Sequence, residues 1–304
     1  MNTNHQKDRV KEIISVSLKH GFKKGVNNPK QLKEMLEELG PTFVKIGQIL
    51  STRPDILPSE YIVELQKLQD DVKPESFQTI VEVIKSELGS SIDDIFPYFE
   101  KTPIASASLA EVHLAKLKTG EENVVKIQRP NVLEKMSADI NILKKLAPFI
   151  NLTPTGSAMD AREVVEELAH ATEKELDFIN EKENIEKFSK NNRDVKFMIC
   201  PNVYSEYCTD KIIVMDYIDG IKIDNIDKLT YENYDLNDLA TKLTYNYFKQ
   251  VFDDGFFHAD PHPGNILIHE NKIGYVDFGL MGQLDKTLKN KFNDFLEGVV
   301  EKDI

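Results

Sequence analysis

The run HADPHPGNILIHENKIGYVDFG, residues 258–279, concentrates side chains that can manage a divalent ion and a phosphate chain. Asp260 and Asn265 stand five residues apart, and Asp277 opens an Asp-Phe-Gly further along. Between them ILI and IGYV flank a polar HENK, which predicts a hairpin over about 266–276. A hairpin returns the chain close to where it left, so Asp277 comes back toward Asp260 and Asn265. An asparagine beside carboxylates supplies hard oxygens of the kind Mg²⁺ takes, with phosphates completing the shell. One of Asp260 and Asp277 can then join Asn265 as a metal ligand, and the remaining aspartate can orient or deprotonate an attacking hydroxyl or water.

Lys126 stands in the middle of the apolar run VVKIQRP. An ammonium there is costly unless it is paired or aimed at an anion. An edge-strand lysine facing water is the competing reading. A partner is offered by Phe178, Glu181, Ile185 and Phe188, whose helical spacing puts Glu181 inside an apolar stripe, with Asp177 four residues earlier. A solvated acidic helix is the alternative, but a glutamate between core-facing aromatics needs a cation. Lys126 is the candidate cation for Glu181.

The segment PIASASLAEVH, 103–113, contains no glycine. Ala105, Ala107 and Ala110 allow close backbone approach, yet cannot take positive φ as glycine does, so a phosphate nest built here would be less pliable. Ala105, Ser106, Ala107 and Ser108 are the candidate nucleotide contacts, with Lys126 and with Met215 and Tyr217 of IIVMDYI. In FVKIGQILSTRPDILP, 43–58, Lys45, Gln48 and Thr52 share one helical face, and Phe43, Ile46 and Leu50 another. Taken alone, that polar face belongs in water.

Helices and strands must position these groups. Helices are predicted over 29–40, ending at Gly40-Pro41, over FVKIGQILS, over 58–72 and near 75–88. Paired strands are predicted over 103–117 and 123–128, then one long helix over about 161–188. Strand-like VYSEY (203–207) and IIVMDYI (212–218) precede a helix over about 235–253 and the hairpin. Helices, then a small sheet, then helices around a hairpin make an α+β order.

Composition narrows the function. With 38 basic and 51 acidic residues, the formal net charge of −13 makes general nucleic-acid binding unfavourable. Cys200 and Cys208 fit neither a zinc motif nor a disulfide framework. The N-terminal segment lacks a signal-peptide core and no stretch approaches a membrane span, so a cytoplasmic protein is expected, peripheral at most at the inner face of the membrane.

Lys45-Ile46-Gly47-Gln48, followed by STRPD, resembles the KxGQ motif of the UbiB/AarF family of atypical kinase-like proteins. Segment 103–113 is similar to that family's Ala-rich loop, which stands where kinases carry a glycine-rich phosphate loop. Glu175-Leu176-Asp177 resembles its ExD motif, Glu181 the helix glutamate six residues on, and Lys126, Asp260, Asn265 and Asp277 the kinase-like set. The likeness covers about residues 30–300.

The resemblance implies a protein-kinase-like two-lobed α+β fold with an N-terminal helical extension over 1–100, an N-lobe over 101–218 and a partial C-lobe over 219–304. It implies that the extension folds over the active site, with Lys45, Gln48, Glu175 and Asp177 as gating residues. ATP or ADP with Mg²⁺ are the implied cofactors. The implied activity is that of an ATPase or phosphotransferase supporting ubiquinone-type isoprenoid-quinone or lipid metabolism. A lipid or quinone precursor, the membrane surface and other biosynthetic proteins are the implied partners besides nucleotide. Protein kinase activity in trans is not expected, because no APE-like element closes an activation segment. A small-molecule phosphotransferase of the aminoglycoside or choline kinase type, and a nucleotide-binding scaffold without turnover, are the alternatives. The chain ends about 25 residues after Asp-Phe-Gly, where relatives continue through further helices and often a hydrophobic tail, so a truncated C-lobe without that anchor is expected.

Overall fold

The computed structural model describes residues 3–21, 28–55, 57–68, 73–150 and 161–301. In chain order the first helices are α1 (Thr3–Lys19), α2 (Pro29–Leu39), α3 (Pro41–Ser51), α4 (Ser59–Leu65), α5 (Phe77–Leu88) and α6 (Ile92–Ile95). Strands β1 (Tyr98–Phe99), β2 (Ala105–Ser106), β3 (Ala110–Lys116) and β4 (Glu122–Gln128) follow, then helices α7 (Val132–Ile150), α8 (Ala161–Glu175) and α9 (Phe178–Asn192). Next are β5 (Met198–Ile199), β6 (Ile212–Asp216), β7 (Ile221–Lys222), α10 (Ile226–Tyr231) and α11 (Leu236–Phe248), which runs on as a π-helix over Lys249–Asp254. Then come β8 (Phe256–His258), β9 (Ile266–His269), β10 (Lys272–Tyr275), β11 (Met281–Gln283) and α12 (Lys286–Glu301). These elements divide into two compact units. One holds residues 1–80, 102–112 and 128–176, the other 81–101, 113–127 and 177–304.

The first unit is mainly helical. Asn28 caps α2 by accepting the Lys30 N–H, Pro29 presets the first turn, and Gly40 at φ 93 ends it where a side chain would be strained. Met35, Leu36 and Leu39 then join Phe43, Leu50, Leu65, Leu143 and Leu168 in one core. Gly47 of the KIGQ segment is needed for close packing. A Cβ there would sit 2.8 Å from Leu36 Cδ1 and closer still to Leu68. Beneath α3, the buried Asp139 carboxylate accepts from Arg9 Nε and Nη2 at 2.8 Å and from Thr42 Oγ1 at 2.9 Å. The third predicted helix closes at Leu65, and residues 69–72 of that prediction lie outside the described set.

In the second unit β6 pairs antiparallel with β4, setting Lys126 opposite Ile213 and Val124 opposite Met215. A second sheet runs β5-β10-β9-β7, and β8 pairs with β11. The predicted hairpin forms from β9 and β10, turning on Glu270 and Asn271 at φ 47 and 62. Both residues left-handed is the turn whose twist suits a two-residue hairpin. Among the described residues no helix is long and apolar enough to cross a membrane.

Two expectations are corrected. The continuous helix over 161–188 breaks, because the Asp177 side chain accepts the Asn180 N–H and starts α9 afresh. The strand over VYSEY reduces to a single bridge from Val203 to Met215 before a 3₁₀ turn at Ser205–Tyr207. Asn202 and Tyr204 both bond the Asp216 carboxylate, and such side-chain bonds compete with a ladder.

Candidate functional site

β4 delivers Lys126 and α9 delivers Glu181, and both lie in the second unit. Lys126 Nζ donates to both Glu181 oxygens at 2.8 Å and to Asp277 Oδ2 at 3.2 Å. Its charge also lies 5.3 Å from the centre of the Phe178 ring. Glu181 is 1% exposed and Asp277 43%, so the lysine bridges a buried anchor and a carboxylate that reaches solvent. Burial works against the ammonium, yet the charges of Asp277 and Glu181 hold it well above the usual lysine range. Burial also opposes ionised Asp277, but Lys126 and the Gly279 amide bring that carboxyl down to about 2. Burial pushes Glu181 up, and Lys126 pulls the other way.

Asp260 and Asn265 are tied to the same segment through the backbone. Asn265 Nδ2 donates to the Asp260 carbonyl at 3.2 Å, and the Asn265 carbonyl accepts the Val276 N–H at 3.1 Å, one residue before Asp277. The Asp260 side chain is 52% exposed, and its Oδ2 lies 3.8 Å from His262 Nε2.

His258, two residues before Asp260, joins these pieces, and the sequence reading gave it no role. Its Nδ1 accepts the Asp260 N–H at 3.2 Å, while its Nε2 meets the Asp277 carbonyl at 2.5 Å. An N–H donor on one side and a carbonyl on the other require the neutral ring with its proton on Nε2. Burial agrees, holding His258 below the usual histidine range. The ring stacks on Tyr275 at 5.2 Å. The signal that could have found it is its place directly ahead of Ala-Asp in HADPHPGN. Asn184, one turn past Glu181, likewise fixes the Phe278 carbonyl at 3.0 Å, and Phe278 N–H reaches Glu181 Oε1 at 3.4 Å.

The donors suit Mg²⁺. Asn265 gives its Nδ2 to the Asp260 carbonyl and keeps Oδ1 as an acceptor, and Asp277 adds a solvent-reaching carboxylate. Among the described residues no three His, Cys, Asp or Glu side chains cluster as a closed cage, so a Mg²⁺ here would draw the rest of its shell from phosphates and water.

Of the predicted nucleotide contacts, Met215 is buried in β6, and the Tyr217 N–H donates to the Glu122 carbonyl at 3.1 Å. A cavity of about 260 Å³ beside Tyr217 is lined also by Glu122, Cys200, Asp216, Asp219 and His269. It includes none of the residues around Asp277.

The Ala-rich loop and the KIGQ segment belong to the first unit. None of residues 103–113 takes a positive φ. The loop is held instead by Arg129, another residue the sequence reading passed over. Arg129 Nε donates to the Ala107 carbonyl and Nη2 to Ser106 Oγ, both at 2.7 Å. The same guanidinium reaches Glu75 at 3.1 Å, Glu111 at 3.0 Å and the Lys73 carbonyl at 3.1 Å. Ala105 is exposed and Ser108 buried. Lys45 forms an ion pair with Glu175, and both side chains are largely buried. The face predicted to be solvated is therefore neutralised by a partner. Asp177 caps α9, and Gln48 is half-buried.

A strand lysine paired with a helix glutamate and with the aspartate of an Asp-Phe-Gly defines a kinase-like protein. The chain matches the ABC1 atypical kinase-like domain over residues 67–304, and it belongs to that family. It is 53% identical, over 97% of its length and 57% of the relative's, to the uncharacterized protein in hydrogenase 1 5'region of Clostridium pasteurianum. It is 39% identical, over 90% of its length and 37% of the relative's, to the protein ACTIVITY OF BC1 COMPLEX KINASE 8, chloroplastic, of Arabidopsis thaliana. The chain thus spans about half the length, or less, of these curated relatives. Among solved structures, the Rv3197–erythromycin complex from Mycobacterium tuberculosis is similar with a TM-score of 0.60 and 29% identity, covering 90% of this chain and 68% of that one.

Proposed function

We propose that this chain is a Mg-nucleotide-dependent ATPase or phosphotransferase that supports isoprenoid-quinone or lipid metabolism. The observation that carries the chemistry is the Lys126 bridge from buried Glu181 to Asp277. A charge fixed from behind by Glu181 is presented to phosphate oxygens without having to be desolvated on each turnover. Asn265 and Asp277 would hold Mg²⁺, which when bound neutralises charge on the transferred phosphate. Asp260, solvent-reaching and anchored through its amide by His258, would orient or deprotonate the attacking hydroxyl or water. Ala105, Ser106, Ala107 and Ser108, with Met215 and Tyr217, are the proposed nucleotide contacts. Lys45, Gln48, Glu175 and Asp177 are proposed to regulate turnover rather than perform it. The metabolic setting rests on the family and on the name of the Arabidopsis relative. A lipid or quinone precursor at a membrane surface and other biosynthetic proteins are the proposed partners.

Titrating Mg–ADP and Mg–ATP into the native chain and Asp277→Asn, and following ATP turnover with and without lipid vesicles, tests the reading. Asp277→Asn is expected to abolish Mg-dependent nucleotide binding. Unchanged affinity removes the metal assignment, and native binding without turnover removes the phosphotransfer.

A further inference from the structure

Behind His258 lies a row of buried amides that the reaction as described does not use. Asn192 closes α9, Asn246 lies in α11 and Gln250 in the π-helix, and all three are at most 3% exposed. Gln250 Oε1 accepts the His258 N–H at 2.9 Å. Gln250 Nε2 donates to Asn246 Oδ1 at 2.6 Å, Asn246 Nδ2 to Asn192 Oδ1 at 2.7 Å, and Asn192 Nδ2 to the Phe188 carbonyl at 2.9 Å.

The direction of this ladder is forced. A backbone N–H can only donate, so the His258 amide fixes the Gln250 carboxamide with its oxygen inward. Each following amide must then turn the same way, and the row ends on a carbonyl that can only accept. No member can flip without stranding a buried polar group. The Tyr247 hydroxyl donates to the His258 carbonyl at 3.2 Å, so α11 and the π-helix hold this peptide on both sides. The His258 ring in turn sets the Asp260 amide and the Asp277 carbonyl. A π-helical turn is a costly backbone choice that recurs at functional sites, and here it carries Gln250, whose side chain bonds the backbone of β8.

We propose that Gln250 is a positioning residue for Asp260 and Asp277, and that the ladder Asn192–Asn246–Gln250 registers the catalytic loop against the helix that carries Glu181. The ladder acts through His258 and touches no substrate. This inference rests on the phosphotransfer reading for its kinetic consequence, though not for its structural one.

Gln250→Met keeps the volume and removes the bonds to His258, Asn246 and Tyr275, and Gln250→Glu keeps the acceptor and loses the donor when ionised. For Gln250→Met, kcat for ATP hydrolysis is expected to fall about 10- to 100-fold with nucleotide KM changed less than about threefold, since small misplacement of catalytic groups acts on the reacting step. For Gln250→Glu, the protonated carboxyl can donate to Asn246 while accepting from His258, so its kcat relative to native should fall as pH rises. The charged and titratable groups around that position are His258 of β8, Tyr275 of β10, Tyr247 of α11 and the Lys249–Asp254 pair of the π-helix. All are present in the native chain too, so the ratio isolates the introduced carboxyl. Hydrogen exchange of the His258–Asp260 amides should quicken at least about tenfold in Gln250→Met, while β6 stays protected. A native kcat in Gln250→Met, or a pH-independent ratio for Gln250→Glu, overturns the proposal. If the native chain binds Mg–ADP without hydrolysing ATP, the phosphotransfer reading fails by itself. The exchange then decides alone, and unchanged exchange sinks the ladder.

Discussion

Lys126 Nζ lies 2.8 Å from each carboxylate oxygen of Glu181, a symmetric clasp between the middle of β4 and the first turn of α9. Glu181 is almost wholly buried, so its charge depends on that ammonium. Removing one partner of such a pair strands the other, which costs more than the pair itself contributes.

Lys126→Met is therefore expected to abolish turnover and to destabilise the chain by about 3–5 kcal/mol. Burial already pushes Glu181 up, and without the lysine it would bind a proton more readily still in the folded state. A raised carboxyl stabilises at low pH and loses that contribution as pH climbs, so Lys126→Met should be relatively more stable in mild acid. Denaturant unfolding across pH measures this. Lys126→Met with Glu181→Gln should recover part of the loss, and a double variant no more stable than Lys126→Met contradicts the account.

Asp277 behaves in the opposite sense. Its carboxyl is held at about 2 against an ordinary 3.8. A depressed group contributes stability that is present above its unfolded value and is lost as pH falls through the folded one. The stability gap between native and Asp277→Asn should therefore close on acidification from about 4 toward 2, read by parallel acid-unfolding curves. A gap that stays constant means Asp277 owes nothing to Lys126.

The hairpin and the Lys126–Glu181 pair were legible because they sit on short local patterns. The HENK turn forms the predicted hairpin, and the Phe178–Phe188 spacing places Glu181 inward. Positioning residues were harder to see, since their partners are distant in sequence. Arg129 reaches Glu75, 54 residues away, and Asn246 reaches Asn192 across the same separation. Nothing local marks either. The break at Asp177 was missed because apolar periodicity continues through it, while a single side-chain cap resets the helix. α7 escaped prediction as well, although Val132, Met136, Ile140, Leu143 and Ala147 keep helical spacing and are buried.

Arg129 fixes a glycine-free loop, and only a planar fork can serve Ala107, Ser106, Glu75 and Lys73 together. Arg129→Lys keeps the charge and loses the fork. It is expected to cost about 2–4 kcal/mol, as when one member of a buried hydrogen-bonded charge cluster is removed. Ser106→Ala should cost only about 1 kcal/mol. Thermal unfolding of both variants gives the ranking, and equal costs argue against the fork.

Gly47 lies where α3 presses on Leu36 and Leu68. Gly47→Ala gains helix propensity but must push two leucines out of a filled core. Overpacking of this kind costs about 1–3 kcal/mol, more than the propensity gain. A lower unfolding midpoint is expected, and a stabilised variant would show that the leucines yield freely.

Lys45, in the same helix, pairs with Glu175 at the end of α8. A polar residue on a helix face gains little from solvent exposure, yet here the chain spends a lysine and a glutamate on a half-buried contact. If that pair were only a brace, its removal would cost stability and leave the kinetics alone. The proposed regulatory role predicts otherwise: Lys45→Ala should change ATP turnover or the preference between ATP and ADP, while the unfolding free energy falls by only about 1–2 kcal/mol. Glu175→Gln should produce the same kinetic change, and combining the two should add almost nothing further, because both remove one interaction. Turnover and nucleotide titration across this double-mutant cycle separate the cases. Additive kinetic effects would mean that the two side chains act separately, and native kinetics in Lys45→Ala would reduce the KIGQ helix to packing.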